Sequence, residues 1–365
     1  MFLSSLRLVD FRNFKELEVS FSKGINIFYG DNAQGKTNLL ESIFFLSNLR
    51  SEKAVREHQL IMHNKPLAYI KGIFNTGSGP VEREIILYSD RKKVVKEGGE
   101  QKSRWSDLCE DLSAVFFSPD DLNLIKGSPS LRRKYLDYLI YQLKPVYMKY
   151  LHTYYRVVSQ RNVLLKSIKK NPSLSDSIEL WDVQLCDAGS RILEERLKLI
   201  EVVNDYMRKL FNGFCGENPV LNVKYISSVS IESRDTIKRD FLKALKQERE
   251  KDISRAFTAN GPHRDDVIFL LDGHDARFFG SQGQQRLLAL CLKKVQAGIL
   301  AREKGEFPIM LLDDVMSELD SSKRKLILGN TDSQVFITTT DLSFIPQDMK
   351  LKSKLFKVKD GSLEW

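Results

Sequence analysis

Cysteine and histidine are scarce in this 365-residue chain, and each scarcity excludes a class of chemistry. The four cysteines, Cys109, Cys186, Cys215 and Cys291, are isolated, with no Cys-x-x-Cys pair. Neither a disulfide framework nor a zinc site is expected, and a reducing compartment is the natural setting. The five histidines include no pair at metal-ligand spacing, which leaves no zinc centre and no Ser-His-Asp triad to argue for. Long apolar runs are missing as well. Runs such as Val267–Leu271 and Pro308–Leu312 are only five residues long, against the roughly 18 that a membrane span needs. The N-terminal stretch interleaves apolar residues with Arg7, Asp10 and Arg12, so it lacks the apolar core of a signal peptide. Ten prolines and twenty glycines are too few for a disordered or collagen-like chain. There is no internal repeat or low-complexity tract. A soluble, cytoplasmic globular protein of about two domains is expected, with no membrane partner.

What the chain does have is positive charge in one place. The net charge is +9, and Lys126–Lys170 alone holds eleven Lys and Arg against one acid, Asp137, leaving the remainder at −1. Such a concentration suits contact with a phosphate backbone, where each neutralised phosphate releases counterions. The plainer alternative is a solvated helix face. Within the segment, Tyr147, Tyr150, Leu151, Tyr154 and Val158 fall on one helical face, a spacing better suited to core than to base stacking. Lys149 and Arg156 lie on a different face. Together with Arg132, Arg133 and Lys134 they are the candidate DNA contacts.

The periodicity predicts strands over Phe2–Val9, Leu17–Phe21 and Ile25–Tyr29, then a helix from Thr37 to Ser47 with apolar residues at 39, 40, 43, 44 and 46. Further strands are expected within 67–96. From Leu131 to about Leu210 the pattern is helical, broken at Pro145 and Pro172. Strands return at 219–231 and 265–279, followed by a helix over 284–300, the apolar strand Phe307–Leu312 and the strand Gln334–Thr338. The expectation is an α/β fold interrupted by a helical insert: residues 1–118 and 258–365 form one lobe, 119–257 the other.

The chemistry is concentrated in Gly30-Asp31-Asn32-Ala33-Gln34-Gly35-Lys36-Thr37, a full G-x-x-x-x-G-K-[ST] match between a predicted strand and a predicted helix. Its glycines let backbone N–H groups turn inward around phosphate oxygens at the positive end of the following helix. Lys36 would reach the β- and γ-phosphates of ATP, and the Thr37 hydroxyl would ligate Mg²⁺. The strand Ile309–Leu312 delivers Asp313 and Asp314. Asp313 suits the metal, and Asp314 lies where a carboxylate could orient or deprotonate an attacking water. Alone, such a pair reads as a turn or helix cap; beside a phosphate loop it reads as the second half of a nucleotide site. Ser281-Gln-Gly-Gln-Gln-Arg286 opens the 284–300 helix, an anion-binding end whose plain reading is a capped helix.

Taken together, Gly30–Thr37, Ser281–Arg286, Asp313-Asp314 and Ser317-Glu-Leu-Asp320 resemble the motifs of ATP-binding-cassette (ABC) ATPases, which implies an α/β ATPase head with an inserted, mainly helical lobe. In that class the signature of one subunit closes on ATP held by the phosphate loop of another. One copy of each motif per chain implies an ATP-dependent homodimer, with Ser281, Gly283 and Gln284 acting in trans. Lys36 and Ser281 lie 245 residues apart, too far for a transporter ATPase and too near for a long coiled coil. Phe11-Arg-Asn-Phe14, Ser118-Pro-Asp-Asp-Leu122, Gly127-Ser-Pro129, Arg132-Arg-Lys-Tyr-Leu-Asp137 and Gly261-Pro-His-Arg-Asp-Asp266 extend the likeness. In order and spacing the chain resembles the RecF family of bacterial recombinational-repair ATPases.

That resemblance implies ATP-dependent binding of duplex or gapped DNA, slow hydrolysis that resets the protein, and action with RecO and RecR in loading RecA. It places Arg12 and Asn13 at the base and ribose side of the nucleotide, although a strand-end turn would explain them too. His263 and Arg264 could contact phosphate or shape a turn. Three departures from the transporter pattern stand out: Ser118-Pro-Asp120 where a glutamine is expected, Thr338-Thr-Thr-Asp341 in place of histidine, and Asp314 where most relatives have glutamate. An ATP-binding scaffold for RecR with nucleotide-independent DNA binding is the alternative, and a transporter subunit a remote one.

Overall fold

In the computed structural model the described residues are 1–54, 56–103, 108, 112–214, 219–328 and 332–364. Cys109 and Cys215 lie outside them; Cys186 and Cys291 are buried thiols. The elements are, in order, β1 (Phe2–Phe11), β2 (Phe14–Ser20), β3 (Ile25–Tyr29), α1 (Lys36–Asn48), β4 (Leu67–Thr76), β5 (Gly79–Tyr88), β6 (Val94–Glu97), β7 (Glu100–Lys102) and β8 (Ala114–Phe117). Next come α2 (Asn123–Lys126), α3 (Pro129–Leu143), α4 (Tyr147–Lys170), α5 (Ile178–Asn212), β9 (Leu221–Ile226), α6 (Ile237–Gln247), α7 (Arg249–Arg255), β10 (Asp266–Leu271), β11 (His274–Asp275), α8 (Ala276–Phe279) and α9 (Gln282–Lys304). The chain closes with β12 (Ile309–Asp313), α10 (Ser321–Leu328), β13 (Val335–Thr339), α11 (Gln347–Lys350), β14 (Ser353–Lys359) and β15 (Ser362–Glu364). No helix among the described residues is long and apolar enough to cross a membrane.

The chain divides into two compact units, one of Met1–Asp121 and Leu290–Trp365, the other of Leu122–Ala289. The division expected at 118/119 falls three residues later, and the one expected at 257/258 falls inside α9. The return boundary moves because β10 pairs antiparallel with β9 from Asp266↔Ile226 to Leu271↔Leu221.

In the first unit, a six-stranded sheet has the order β15-β14-β3-β13-β12-β8. All neighbours are parallel except the edge pair β14–β15. β12 and β13 are buried along their whole length, as strands covered on both faces must be, which accounts for their unbroken apolar runs. Parallel pairing brings the carboxyl ends of β3, β13 and β12 to one edge, where open α/β sheets bind ligands. A second sheet, β2-β1-β4-β5-β6-β7, is antiparallel throughout. Its β4 alternates buried and half-buried residues, the period of a sheet covered on one face. Phe21, Phe28, Phe336 and Phe356 pack as one aromatic group, with Phe21 edge-on to the other three.

The second unit is mainly helical. Pro145 and Pro172 fall in the breaks before and after α4, as their missing N–H requires. Tyr147, Leu151, Tyr154 and Val158 are buried, so the aromatic stripe belongs to the core. The strand expected over 265–279 is shorter. Asp272 and Gly273, both with positive φ, turn β10 into β11 as Asp-Gly hairpins do. Asp275 then caps α8 by accepting the N–H of Arg277 at 2.9 Å.

Candidate nucleotide-binding site

Residues 30–37 leave the carboxyl end of β3 and enter α1. Gly35 precedes the helix with φ 108°, and a Cβ there would stand 2.4 Å from Asn13 Nδ2, so both the backbone angle and the close approach require glycine. No acid sits in the first turn of α1, and its free N–H groups form a positive end open to an anion. The apolar face of α1, Leu39, Leu40, Ile43, Phe44 and Leu46, is buried. At its other end Arg83 Nη1 donates to the carbonyls of Leu46 and Ser47 at 3.0 and 2.9 Å. The buried guanidinium offsets the negative helix terminus.

Asn32, Ala33, Gly35, Lys36, Thr37, Asn38, Asp313, Asp314 and Thr338 line a cavity of about 160 Å³. The register of parallel β12 and β13 sets Thr338 beside Asp313. Thr37 Oγ1 donates to Asp313 Oδ1 at 2.7 Å, and Thr338 Oγ1 donates to the same oxygen at 2.9 Å. Lys53 Nζ donates to Asp313 Oδ2 at 2.8 Å. The Lys36 ammonium folds over the loop and donates to the carbonyls of Gly30 and Asp31, each at 2.6 Å. Burial lowers the Lys36 pKa below its ordinary value, opposed by the carboxylates of Asp314, Asp313 and Asp31. Asp314 sits at φ 54° and its N–H donates to Thr338 Oγ1 at 3.0 Å. This ties the turn after β12, and the second acid in it, to β13. Of the three threonines that replace the expected histidine, Thr338 lines the cavity, whereas Thr339 Oγ1 donates to Asp341 O at 2.8 Å.

A hydroxyl and a carboxylate on adjacent sites are hard oxygen donors suited to Mg²⁺. An ammonium already rests on the carboxylate, so the position accepts a cation. Thr37 and Asp313 fit the metal.

The structure places the remaining sequence-derived residues as follows. Arg12 holds the buried Glu41 with two prongs, Nε at 2.9 Å and Nη2 at 3.1 Å, and Nη1 donates to Gln59 O at 2.9 Å. Asn13 Nδ2 donates to Gln34 O at 3.0 Å and its Oδ1 accepts from Asn38 at 2.8 Å. Arg12 therefore braces α1, Asn13 braces the phosphate loop and α1, and neither lines the cavity. Ser281 and Gln284 form a reciprocal cap: Gln284 N–H donates to Ser281 Oγ at 3.2 Å and Ser281 N–H to Gln284 Oε1 at 2.9 Å. A Cβ built on exposed Gly283 would meet only Ser281 Oγ, at 3.9 Å.

The candidate DNA face loses a member. Arg132 is buried and grips Asp266 with two bonds, Nε to Oδ1 at 2.7 Å and Nη2 to Oδ2 at 2.9 Å, with Nη1 on Gly127 O at 2.8 Å. Its charge is spent inside the unit. Arg133 is half-buried and donates to Asp265 O at 2.7 Å. Lys134, Lys149 and Arg156 are exposed. Buried Arg161, another cation of the basic segment, joins Asp182, Asp252 and Thr258.

The stretch 261–266 proves to be an internal knot. Gly261 N–H donates to Ser228 Oγ at 2.8 Å, and Pro262 O accepts Arg196 Nη1 at 2.6 Å. His263 Nδ1 shares a 2.6 Å hydrogen bond with Tyr154 Oη, and Tyr225 Oη donates to Asp265 at 2.6 Å. Arg264 stacks on Phe257. The Arg264 N–H closes the turn on Gly261 O at 2.8 Å, while its side chain stays exposed. Sequence reasoning missed Lys53, Glu41 and Arg83, since single charges in a polar loop, a helix and a strand carry no spacing signal.

The family model for the RecF/RecN/SMC N-terminal domain matches residues 2–363. The DNA replication and repair protein RecF of Heliobacterium modesticaldum is 38% identical, covering 100% of this chain and 99% of its own length. That of Streptococcus equi subsp. equi is 39% identical, covering 100% and 98%. A structure of the recombination mediator protein RecF–ATP of the RecFOR pathway superposes with a TM-score of 0.89 at 34% identity, covering 100% of this chain and 97% of that one. An SMC head bound to the C-winged helix domain of ScpA, with a TM-score of 0.55 at 17% identity, shares the fold. In sequence and in fold along its whole length, the chain belongs to the RecF family.

Proposed function

We propose that the chain is an ATP-gated DNA-binding protein of replication and recombinational repair. ATP bound by one chain is closed over by Ser281, Gly283 and Gln284 of a second, the dimer holds duplex or gapped DNA, and slow hydrolysis releases it. The observation that carries this reading is the convergence of Lys36, Thr37, Asp313, Asp314 and Thr338 on one small cavity at the carboxyl edge of a parallel sheet. Lys36 is already desolvated among carboxylates and can exchange two loop carbonyls for phosphate oxygens. Thr37 and Asp313 would hold Mg²⁺, which supplies charge neutralisation for the terminal phosphates. Asp314 stands next to them on a pinned turn, suited to orient water. Its shorter side chain and a threonine in place of histidine favour slow turnover.

The in-trans role draws support from Gly283. Gly283 is exposed and a Cβ there would meet only Ser281 Oγ at 3.9 Å, so the helix end stays open to an approaching phosphate. Lys134, Lys149 and Arg156 remain as phosphate contacts. Cooperation with RecO and RecR, and a cytoplasmic setting, belong to the same reading.

Light scattering with and without ATP and Mg²⁺, in the presence of a short duplex, tests it. The expected result is a shift from one chain to two on adding ATP, with DNA retained by the dimer, and a Ser281→Arg variant that stays single. A mass that does not change, or DNA bound equally without nucleotide, would make ATP a structural ligand and favour the scaffold reading.

A further inference from the structure

Lys53 has no part in the phosphate-loop pattern and does not line the cavity, yet its ammonium rests on Asp313, which does. Asp313 is buried, and both of its carboxylate oxygens are engaged. Oδ1 takes the hydroxyls of Thr37 and Thr338, and Oδ2 takes the Lys53 ammonium at 2.8 Å. The cation that neutralises this carboxylate therefore comes from the chain itself.

The loop that delivers Lys53 is held in place. Ser51 Oγ donates to Glu41 Oε1 at 2.5 Å and accepts the N–H groups of Lys53 and Ala54 at 3.0 and 2.7 Å. Glu41 is in turn gripped by Arg12. A continuous polar chain thus runs from Arg12 through Glu41 and Ser51 to Lys53 and Asp313. The ammonium also lies 5.8 Å from the centre of the Phe116 ring. The Lys53 side chain is nonetheless 37% exposed, against 7% for Asp313, so it can swing into water without opening the core.

A carboxylate that holds an ammonium is not free to ligate a divalent cation at the same oxygen. We propose that Lys53 is a displaceable internal counter-ion. It neutralises Asp313 in the nucleotide-free protein and leaves when magnesium and nucleotide enter, so that it sets the Mg²⁺ concentration at which the site loads. This rests on the reading of the cavity as an ATP site. The arrangement avoids a bare buried carboxylate, which would otherwise be costly, and makes loading an exchange of one cation for another.

The test titrates Mg²⁺ against the fluorescence of N-methylanthraniloyl-ATP bound to the full chain, for wild type, Lys53→Met, Lys53→Gln and Lys53→Arg. Removing the ammonium lowers the Mg²⁺ midpoint about fivefold, the scale of a partly exposed ion pair, while Lys53→Arg stays near wild type. A cooperative thermal transition retained by the Met and Gln variants without nucleotide, at whatever lowered midpoint, separates the effect from misfolding. An unchanged midpoint overturns the proposal. A raised midpoint or abolished binding overturns it too and makes Lys53 a phosphate ligand. Wild type that takes up no nucleotide at any Mg²⁺ concentration would instead refute the ATP site, and the counter-ion role would fall with it.

Discussion

Arg132 tests whether a basic residue in a basic segment serves DNA or the fold. It makes two bonds to Asp266 and one to Gly127 O and is 4% exposed; the Asp266 side chain is 17% exposed. Arg132→Met strands a largely buried carboxylate, and breaking one side of such a pair costs about 3–5 kcal/mol. Asp266 keeps the N–H of Val267 at 2.7 Å, which places the cost at the lower end, about 3 kcal/mol. With a urea slope of about 2 kcal/mol per M, the unfolding midpoint falls by about 1.5 M. The variant still folds in dilute buffer, so its DNA binding can be followed by anisotropy across a salt series. Its log–log salt slope stays at the wild-type value. Lys149→Gln or Arg156→Gln, which alter exposed residues, lower that slope by about 0.9 for each phosphate no longer neutralised and leave the urea midpoint unchanged. An Arg132→Met protein with wild-type stability and a shallower salt slope would refute the reasoning and return the guanidinium to the DNA face.

Two further substitutions probe the same knot. Gly261 has φ 129°, and a Cβ there would lie 2.3 Å from Tyr154 Oη; Gly261→Ala therefore destabilises by about 3 kcal/mol through strain and overpacking, and an unchanged melting temperature would contradict this. Burial pushes the His263 imidazole down to about 4, from 6.5 in the unfolded chain. Above pH 6.5 both states are neutral there and the residue contributes no pH dependence; between 6.5 and 4 only the unfolded state takes up the proton, so stability falls with falling pH. The full loss is about 3 kcal/mol, and His263→Gln should flatten the denaturation profile in that window, whereas a parallel profile would assign the dependence elsewhere.

Local pattern made much of the site legible. The glycines, lysine and threonine of residues 30–37 announce a phosphate loop because the backbone conformation and the chemistry are both specified within eight residues. The helix after it and the apolar strand that ends in Asp313 follow from hydrophobic period alone. The threonine that would face the nucleotide could not be chosen from Thr338, Thr339 and Thr340, because strand register, not composition, sets Thr338 against Asp313. Family resemblance alone places Arg12 and Asn13 beside the nucleotide, and no local pattern shows their bonds to Glu41, Gln59 O, Gln34 O and Asn38.

The sequence by itself determined the kind of chemistry: a phosphate loop, a strand-end carboxylate pair, a capped helix bearing Ser281, and one strongly basic segment. Those are short-range properties, written in residue type and spacing. Tertiary structure decided which charges remain available. It buried Arg132 and Arg161 against acids far along the chain, left Lys134, Lys149 and Arg156 in solvent, and set Lys53 on a carboxylate 260 positions away. An ion pair depends on distance in space, and no periodicity along the chain encodes a partner that the fold alone brings within about 3 Å.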